Sequence, residues 1–172
     1  GVVQCVDVNT LQPVWAVNTG DKVDATPALD FEEDTQALAL YTGNTIVNAG
    51  KKGTCVIRRL DGLTGKEVWS HTVEELVYDK EFSIGCEASP VVGQQSISDL
   101  VIFTVNGGTT GSTVIALKKA DGSVAWTQQL ATYTDSSPVA VYNEAGDAWL
   151  VQGESDGKLH LLDAKTGDIV NT

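Results

Sequence analysis

The hydrophobic positions of this chain fall into short runs that are separated by turn-forming residues. The runs are rich in Val, Ile, Thr, Tyr and Trp and are bounded by Gly, Asn, Asp and Pro, as at residues 100–105 (LVIFTV). Such runs predict β-strands. No long segment repeats its apolar positions with the ~3.6-residue period of an amphipathic helix, so almost no helix is expected. For residues 73–81 (VEELVYDKE) we expect one short helical turn or an ordered loop.

The strands recur in a fixed order around three tryptophans. Trp15, Trp69 and Trp126 each end a strand, and each precedes a polar stretch and then a pair made of a small residue and Pro. These pairs are Thr26-Pro27, Ser89-Pro90 and Ser137-Pro138. After each Pro we expect a first strand (A), a strongly apolar strand (B), a glycine-containing turn, a third strand (C) and the Trp strand (D). Four strands per unit, with a Gly and aromatic signal at fixed phase, are typical of a β-propeller blade.

The repeat therefore predicts an all-β fold, a partial β-propeller of four-stranded antiparallel blades, with about three and a half blades in this chain. The chain is predicted to be a single propeller segment, 1–172, made of a half blade (strands C and D) at 1–16 and blades at 26–70, 89–126 and 137–171. Closed propellers usually need at least about four blades. We expect a larger ring, a ring completed by two copies, or an open arc. An arc would expose apolar blade faces, so we expect self-association if the chain is studied alone.

The net negative charge of the chain argues against some classes of binding partner. The 172 residues include 11 Lys and Arg against 23 Asp and Glu, a net charge of −12. Such a surface repels phosphate backbones and anionic lipids, so we expect no nucleic-acid binding and no membrane insertion. No apolar run approaches the ~20 residues that span a bilayer. The chain has no Met, and we expect it to be a mature portion or a segment of a longer protein.

The cysteines do not suggest a metal site. Cys5, Cys55 and Cys86 form no CxxC pair, so metal-site spacing is absent. Three cysteines can form at most one internal disulfide plus a free thiol. A buried free cysteine behaves as a small hydrophobic residue, and that is the default interpretation here.

One hairpin sequence is written four times in phase, at residues 5–15 (CVDVNTLQPVW), 59–69 (RLDGLTGKEVW), 116–126 (ALKKADGSVAW) and 161–171 (LLDAKTGDIVN). It resembles the AxDxxTGxxxW tryptophan-docking motif of the pyrroloquinoline-quinone-like, or quinoprotein-type, β-propeller repeat family. The resemblance covers essentially the whole chain. The residues that carry it are Asp7, Trp15, Asp61, Thr64, Gly65, Trp69, Gly122, Trp126, Asp163, Thr166 and Gly167.

Each motif residue has an expected structural role. The glycines let the C–D hairpin turn adopt a positive φ, and the Asp and Thr side chains bond the turn's own backbone amides. The resemblance implies that each Trp packs between adjacent blades, with its indole N–H bonded to a neighbouring carbonyl. Some positions depart from the motif: Leu11 replaces the first turn glycine, Lys118 and Asp121 replace the third Asp and Thr, and Asn171 replaces the fourth Trp. We expect a different first turn, and a final blade that lacks a normal successor or lies near a domain edge.

No catalytic, cofactor-binding or metal-binding residues are predicted. The adjacent cysteine pair of the family's dehydrogenases is absent, and no Asp, Glu and Asn set for calcium maps onto the motif. We expect Trp149 to be a core residue, and His71 and His160 to be core or rim residues without a spaced partner. The acidic loop 30–34 (DFEED) is interpreted as a solvated hairpin tip rather than a cation site. The basic residues Lys51, Lys52, Arg58 and Arg59 are too few for a nucleic-acid patch.

These observations favour a non-enzymatic β-propeller scaffold or binding module of a bacterial envelope or cell-surface protein, acting through loops and protein or glycan contacts. The resemblance implies an extracytoplasmic location, either periplasm or cell surface. It includes a lipoprotein scaffold of outer-membrane protein assembly that works through partners. The alternative is a fragment of a quinone-dependent dehydrogenase whose active site needs blades outside this chain. A purely structural module of a larger surface protein is a third reading. Because the chain holds only part of a ring, we expect a partner protein or self-association to complete the propeller. A shared fold does not imply a shared chemistry.

Overall fold

A computed structural model describes residues 1–33, 35–47 and 52–172. Within these residues, fourteen strands form four antiparallel sheets, which confirms the predicted all-β, partial-propeller fold. The strands are β1 (Val2–Val6), β2 (Pro13–Asn18), β3 (Ala28–Glu32), β4 (Ala37–Gly43), β5 (Lys52–Asp61), β6 (Glu67–Val77), β7 (Val91–Val92), β8 (Leu100–Asn106), β9 (Ser112–Lys118), β10 (Val124–Leu130), β11 (Val139–Tyr142), β12 (Ala148–Gly153), β13 (Leu159–Asp163) and β14 (Ile169–Asn171).

Each sheet is a meander in which consecutive strands are neighbours. We call β1–β2 the half-blade, β3–β6 blade 1, β7–β10 blade 2 and β11–β14 blade 3. In all four, a register shift interrupts the hairpin that joins the last two strands, at Cys5/Val6, Arg59/Leu60, Val124/Trp126 and Leu161/Leu162. A β-bulge increases the local twist of a sheet, and this irregularity recurs beside the last hairpin turn of every sheet.

The segment 73–81, predicted to form a short helical turn or an ordered loop, is strand only as far as residue 77, and residues 78–81 lie outside any strand or helix. β6 continues to Val77, and its register with β5 reaches the pair Lys52 and Val77. Val73 and Leu76 are three positions apart, yet both pack against the core, because a register shift interrupts the pairing of β5 and β6 between them. Two short 3₁₀ turns, at Gln95–Ile97 and Gly108–Thr110, were not expected from the sequence.

The hydrophobic core is divided among the interfaces between neighbouring sheets. One cluster joins blades 1 and 2 through Tyr41, Ile57 and Phe103, and another joins blades 2 and 3 through Ile102 and Leu150. A smaller cluster joins the half-blade to blade 1 through Val3, Leu40 and Leu60. Because a twisted sheet has two apolar faces, stacking sheet on sheet is what removes both from water.

A hydrogen-bond ladder links the first strands of the blades. The backbone N–H of Thr26 donates to Ser89 Oγ at 3.2 Å, and the N–H of Ser89 donates to Ser137 Oγ at 2.9 Å. The small residue before each Pro therefore connects one blade to the next. This contact gives the repeated Ser/Thr-Pro pair a physical reason beyond starting a strand.

The face of blade 3 that points away from blade 2 is apolar. Leu150 and Leu162 lie in the cluster against blade 2, whereas Val141, Trp149 and Val151 alternate with such residues and lie on the other face. Trp149 is half-buried there, so it is not the core residue that the sequence led us to expect. Within the described residues, no helix has the length and apolarity required to cross a membrane.

Candidate functional site

The aspartates of the repeated hairpins organise their own turns. Asp7 Oδ1 accepts the amides of Asn9 and Thr10 at 2.8 and 2.9 Å. Asp61 Oδ1 accepts the amides of Leu63 and Thr64 at 3.0 and 2.8 Å, and also the Thr64 hydroxyl at 2.8 Å.

Hydrogen bonds to these carboxylates hold their charged form. The Thr10 amide lowers the pKa of Asp7 most, and the Thr64 hydroxyl lowers that of Asp61 most. In the fourth copy, Asp163 Oδ1 accepts the amides of Lys165 and Thr166 at 2.8 and 3.1 Å, while the Thr166 hydroxyl donates to Asp168. The carboxylates are therefore occupied by their own turns.

The turn position before each last strand has a positive φ in all four copies. Gly65, Gly122 and Gly167 have φ of 72°, 73° and 82°. Leu11 has a φ of 57°, and its N–H donates to the carbonyl of Asp7 at 2.8 Å, as Gly65 does to Asp61 at 2.7 Å. The expected change in the first turn is therefore wrong, since a leucine is held in a left-handed conformation that usually favours glycine.

The three motif tryptophans bridge neighbouring sheets. Trp15 Nε1 donates to the carbonyl of Gly62 at 3.1 Å, Trp69 Nε1 to that of Lys119 at 2.8 Å, and Trp126 Nε1 to that of Ala164 at 3.1 Å. Each acceptor belongs to the hairpin turn of the following blade. Trp69 and Trp126 are buried, and Trp15 is half-buried.

The turn glycines leave room for these rings. A Cβ built on Gly65 would lie 2.7 Å from the Trp15 ring, and one on Gly122 would lie 2.6 Å from the Trp69 ring. A Cβ on Gly167 would lie 2.4 Å from the Trp126 ring. Because such distances are too short for real atoms, glycine is required here both by φ and by the tryptophan of the preceding blade.

Two hairpins differ from the motif in sequence: the third still forms its turn, and the fourth lacks the final tryptophan. Asp121 Oδ1 accepts the amide of Ser123 at 2.9 Å, and Gly122 N–H donates to the carbonyl of Lys118, so the third turn forms without the usual Asp and Thr. Asn171 lies on exposed β14 and pairs with Leu161. Blade 3 therefore lacks a tryptophan at the position where each of the other sheets has one.

A cleft of about 900 Å³ lies between blades 1 and 2. Its lining includes the turn that receives Trp69. The carbonyl of Lys119 accepts the Trp69 indole and also Arg59 Nη1 at 2.7 Å. Arg59 comes from β5, so two side chains of blade 1 hold one backbone carbonyl of blade 2.

Two ion pairs close the walls of this interblade cleft. Arg59 Nη2 lies 2.6 Å from Glu32 Oε1, and Lys119 Nζ lies 2.7 Å from Asp30 Oδ2 and 3.0 Å from the carbonyl of Gly93. The four side chains are 12–26% exposed. The interpretation of loop 30–34 as a solvated tip is therefore wrong for Asp30 and Glu32, while Asp34 lies outside the described residues, as does Lys51.

A second polar group, which sequence analysis missed, lies at the start of the first strands. Asp24, Glu87 and Asp135 each precede the Pro of their blade by the same spacing, which is the sequence signal that could have identified them. Burial, followed by the hydrogen bond and charge of Asp135, raises the pKa of Glu87 to about 7. Asn106 Nδ2 donates to Asp135 Oδ1 at 3.0 Å. The raised pKa favours the protonated form of Glu87, which can then donate a hydrogen bond to the Asp135 carboxylate.

His160 has an acidic partner, contrary to expectation. Its Nε2 lies 3.3 Å from Glu154 Oε1, and both side chains are buried. Glu154 also accepts the amide of Ala131 and the hydroxyl of Thr132, each at 3.0 Å, and so links blade 3 to the end of blade 2. The pair was missed because a β-turn separates the two residues. His71 is half-buried beside Val73 and Val105 in a small apolar cleft.

The donor chemistry of a metal site does not assemble in the described part of the chain. Within residues 1–33, 35–47 and 52–172, no three His, Cys, Asp or Glu side chains are grouped so as to hold a metal ion. The carboxylates of the interblade cleft are instead paired with Arg59 and Lys119. The arrangement is suited to holding blades together and to presenting a polar cleft, since its charges are already matched within the fold.

The fold and its repeated turns define this chain as a segment of a quinoprotein-type β-propeller. It belongs to the family of the outer membrane protein assembly factor BamB, whose family model matches residues 1–172. No curated protein matches in sequence.

Solved structures show the same fold in proteins of different activity. BamB from Moraxella catarrhalis has a TM-score of 0.64 and 22% identity, with 99% of this chain and 42% of that chain covered. The quinohemoprotein alcohol dehydrogenase ADHIIG from Pseudomonas putida HK5 has a TM-score of 0.63 and 13% identity, with coverage of 99% and 31%. A europium-containing methanol dehydrogenase has a TM-score of 0.56 and 13% identity, with coverage of 88% and 34%. The chain thus spans less than half the length of these proteins.

Proposed function

We propose that this chain is a segment of a non-enzymatic β-propeller scaffold that acts outside the cytoplasm, at the envelope or surface of a bacterial cell, by contacting other proteins. The observation that carries the proposal is the match of the BamB family model to the whole chain. That family is named for an assembly factor rather than for a catalyst. The motif residues are correspondingly proposed to dock blades, with Trp15, Trp69 and Trp126 as the plates.

The interblade cleft is the surface that we assign to a partner. Its wall carries the two matched ion pairs, and its rim carries the exposed residues Gln94, Gln95, Ser98 and Asp99. Amide, hydroxyl and carboxylate groups on one rim can bond the backbone and charged side chains of a protein loop. Arg59 and Lys119 are already paired with carboxylates. The cleft is therefore suited to a partner with complementary polar groups rather than to a free anion.

A segment of a quinone-dependent dehydrogenase is the second candidate, and it is favoured by the likeness to ADHIIG. That chemistry needs a quinone and a hard cation that takes several oxygen ligands. The described residues of this segment bring no such group together, and Cys5, Cys55 and Cys86 are not adjacent in sequence. The residues do not fit the cofactor, so blades outside this chain would have to supply the whole site.

Site-specific photo-crosslinking in the full-length protein tests the scaffold proposal. A photoreactive residue at Gln95, on the cleft rim, is expected to capture a protein in native cells. The matched position is Ser155, an exposed residue on a hairpin of blade 3. Glu32→Lys, which reverses one wall charge, should reduce the Gln95 adduct, whereas Asp156→Lys should not. A carbohydrate adduct, or equal capture from both positions, would contradict a protein site in the cleft.

Turnover provides the opposite test. The full-length protein, incubated with pyrroloquinoline quinone and Ca²⁺, is expected to show no dye-linked oxidation of alcohols or aldoses and no bound quinone absorbance. Measured turnover, with loss on removal of Ca²⁺, would overturn the non-enzymatic proposal and favour the dehydrogenase.

A further inference from the structure

Two cysteines from different parts of the propeller meet in the hydrophobic cluster between blades 1 and 2. Cys55 lies on β5 of blade 1, and Cys86 lies in the connection that leads to blade 2. Their Sγ atoms are 3.3 Å apart, and both residues are 0% exposed. Their cluster includes Tyr41, Ile57 and Phe103, which close it to water.

The backbone holds Cys86 in this position from two sides. Cys86 N–H donates to the carbonyl of Asn44 at 3.2 Å, and the adjacent Gly85 exchanges two backbone hydrogen bonds of 2.8 Å with Asn106. The first contact ties the connection to blade 1 and the second ties it to blade 2. The close approach of the two sulfur atoms is therefore imposed by the blade interface rather than by a flexible side chain.

The neighbouring glycine completes the space for this pair. A Cβ on Gly43 would lie 2.6 Å from Cys86 Sγ, so any larger residue there would displace the thiol. Gly43 ends β4, directly beside Ile57 in the register of blade 1. The packing thus reserves one small volume for two sulfur atoms.

We propose that Cys55 and Cys86 are the site of a disulfide bond that ties blade 1 to the connection entering blade 2. The sulfur atoms must approach by roughly 1.2 Å to reach the ~2.05 Å of a disulfide, which a small rotation of the side chains provides. Cys5, half-buried on β1, remains the free thiol. The bond would close a loop that contains most of β5, all of β6 and the first part of the connection from blade 1 to blade 2.

The reaction is thiol–disulfide exchange with an external disulfide, such as that of an oxidoreductase or oxidised glutathione. One cysteine thiolate attacks that external disulfide, forms a mixed disulfide with one of its sulfur atoms and displaces the other as a thiolate. The second cysteine thiolate then attacks the protein sulfur of the mixed disulfide and displaces the remaining carrier sulfur, and both displaced thiolates take up protons. The two cysteines lose two protons and two electrons in total, and the external disulfide gains them. The proposal depends on the proposed extracytoplasmic location only for the natural source of this oxidant.

The order of events follows from burial. The hydrogen bond with Cys55, together with burial, raises the pKa of Cys86 well above its ordinary value. A thiolate is therefore scarce in the folded protein, and exchange is expected while the connection is still exposed during folding. Once formed, the bond would be shielded from reductants in solution.

Thiol counting tests the proposal without a partner or cofactor. The unfolded chain is refolded in oxidised and reduced glutathione, denatured again, and alkylated without further reduction. One labelled cysteine, Cys5, is expected, and all three should label after reduction. A crosslinked peptide containing Cys55 and Cys86, lighter than the two thiol peptides by two hydrogens, identifies the pair. The Cys5→Ser variant lacks the remaining free thiol, so none of its cysteines should be alkylated before reduction.

Three labelled cysteines after oxidative refolding would overturn the proposal, as would a crosslink that includes Cys5. As a second measurement, reductant should lower the Tm of the oxidised chain by roughly 5–15 °C. The Tm of Cys5→Ser should fall equally, and that of Cys55→Ala with Cys86→Ala should not respond to reductant. Because none of these assays involves a partner, failure here leaves the scaffold proposal untouched, and loss of partner capture leaves the disulfide untouched.

Discussion

The indole Nε1 of Trp69 lies 2.8 Å from the carbonyl oxygen of Lys119, a residue 50 positions away in the chain. The same carbonyl accepts Arg59, so blade 1 grips one atom of blade 2 twice. A single hairpin turn therefore receives a large apolar ring, an indole hydrogen bond and a guanidinium. This relationship makes the interface between blades, rather than any one sheet, the unit of stability.

Replacing Trp69 should weaken the protein strongly. Trp69→Ala removes a ring that is 8% exposed and leaves a cavity between two sheets, so the free energy of unfolding should fall by about 3–5 kcal/mol. Trp69→Phe keeps a ring and should cost about 1–2 kcal/mol, for the smaller ring and the lost indole hydrogen bond, since Arg59 still bonds the Lys119 carbonyl. Denaturant unfolding followed by far-UV circular dichroism measures both. Val68→Ala, at a 52% exposed neighbour, should change stability by less than about 0.5 kcal/mol. A Trp69→Ala cost equal to that control would contradict this account.

A pair of glycine substitutions separates backbone strain from packing. Gly122→Ala places a Cβ 2.6 Å from the Trp69 ring at a φ of 73°, whereas Gly157→Ala, at a φ of 89°, meets no atom within 4 Å. Both should pay roughly 1–2 kcal/mol of left-handed strain. Only Gly122→Ala should lose roughly 1–3 kcal/mol more from overpacking against Trp69. Equal losses in thermal or denaturant unfolding would show that the ring does not constrain the turn.

Leu11→Gly should stabilise the chain. Leu11 is 77% exposed and held at a φ of 57°, so removing its side chain relieves strain and loses little burial. The gain, after the larger entropy of glycine in the unfolded chain, should be about 0.5 kcal/mol. Leu63→Gly is the matched control. Leu63 is also an exposed leucine in a hairpin turn, but its φ is not positive. This substitution should destabilise the chain, so a shift of the same sign in both variants would refute the prediction.

Acidification should stabilise the fold through Glu87. Its pKa rises from 4.5 to about 7 on folding. Between these values the folded state binds more protons than the unfolded state, so this contribution is complete below pH 4.5 and is lost as the pH rises through about 7. Since the side chain is partly exposed, the effect should be only about 1 kcal/mol.

Glu87→Gln isolates that contribution. The amide is neutral at all pH values, so the variant should be more stable than the natural chain at pH 8 and should lose the difference at pH 5. Unfolding free energies at the two pH values give the result. Glu144→Gln, on an exposed turn of blade 3, should shift both values alike. An unchanged pH dependence in Glu87→Gln would mean that Asp24 and Asp135 do not influence Glu87.

Much of the local structure could be predicted because short-range contacts produce it. The turns at Asp61 and Asp163 close through bonds to residues two or three positions away, and Gly65 and Gly122 supply the positive φ. The same reasoning failed at Leu11, where the turn persists without glycine because its backbone hydrogen bond and Asp7 hold it. It also failed along β6, where pairing with β5 extends the strand over a segment of ambiguous pattern.

By itself, the sequence determined the strand order, the four-stranded units and the phase of Trp, Gly and Pro, because these depend on local propensity and on a pattern that repeats. Only the tertiary structure decided which atoms of different units meet: the ion pair of Arg59 with Glu32, the contact of His160 with Glu154, and the sulfur contact of Cys55 with Cys86. The physical reason is that a blade buries its faces against its neighbours. The partner of a side chain is therefore set by how one sheet stacks on the next, which no short stretch of residues encodes.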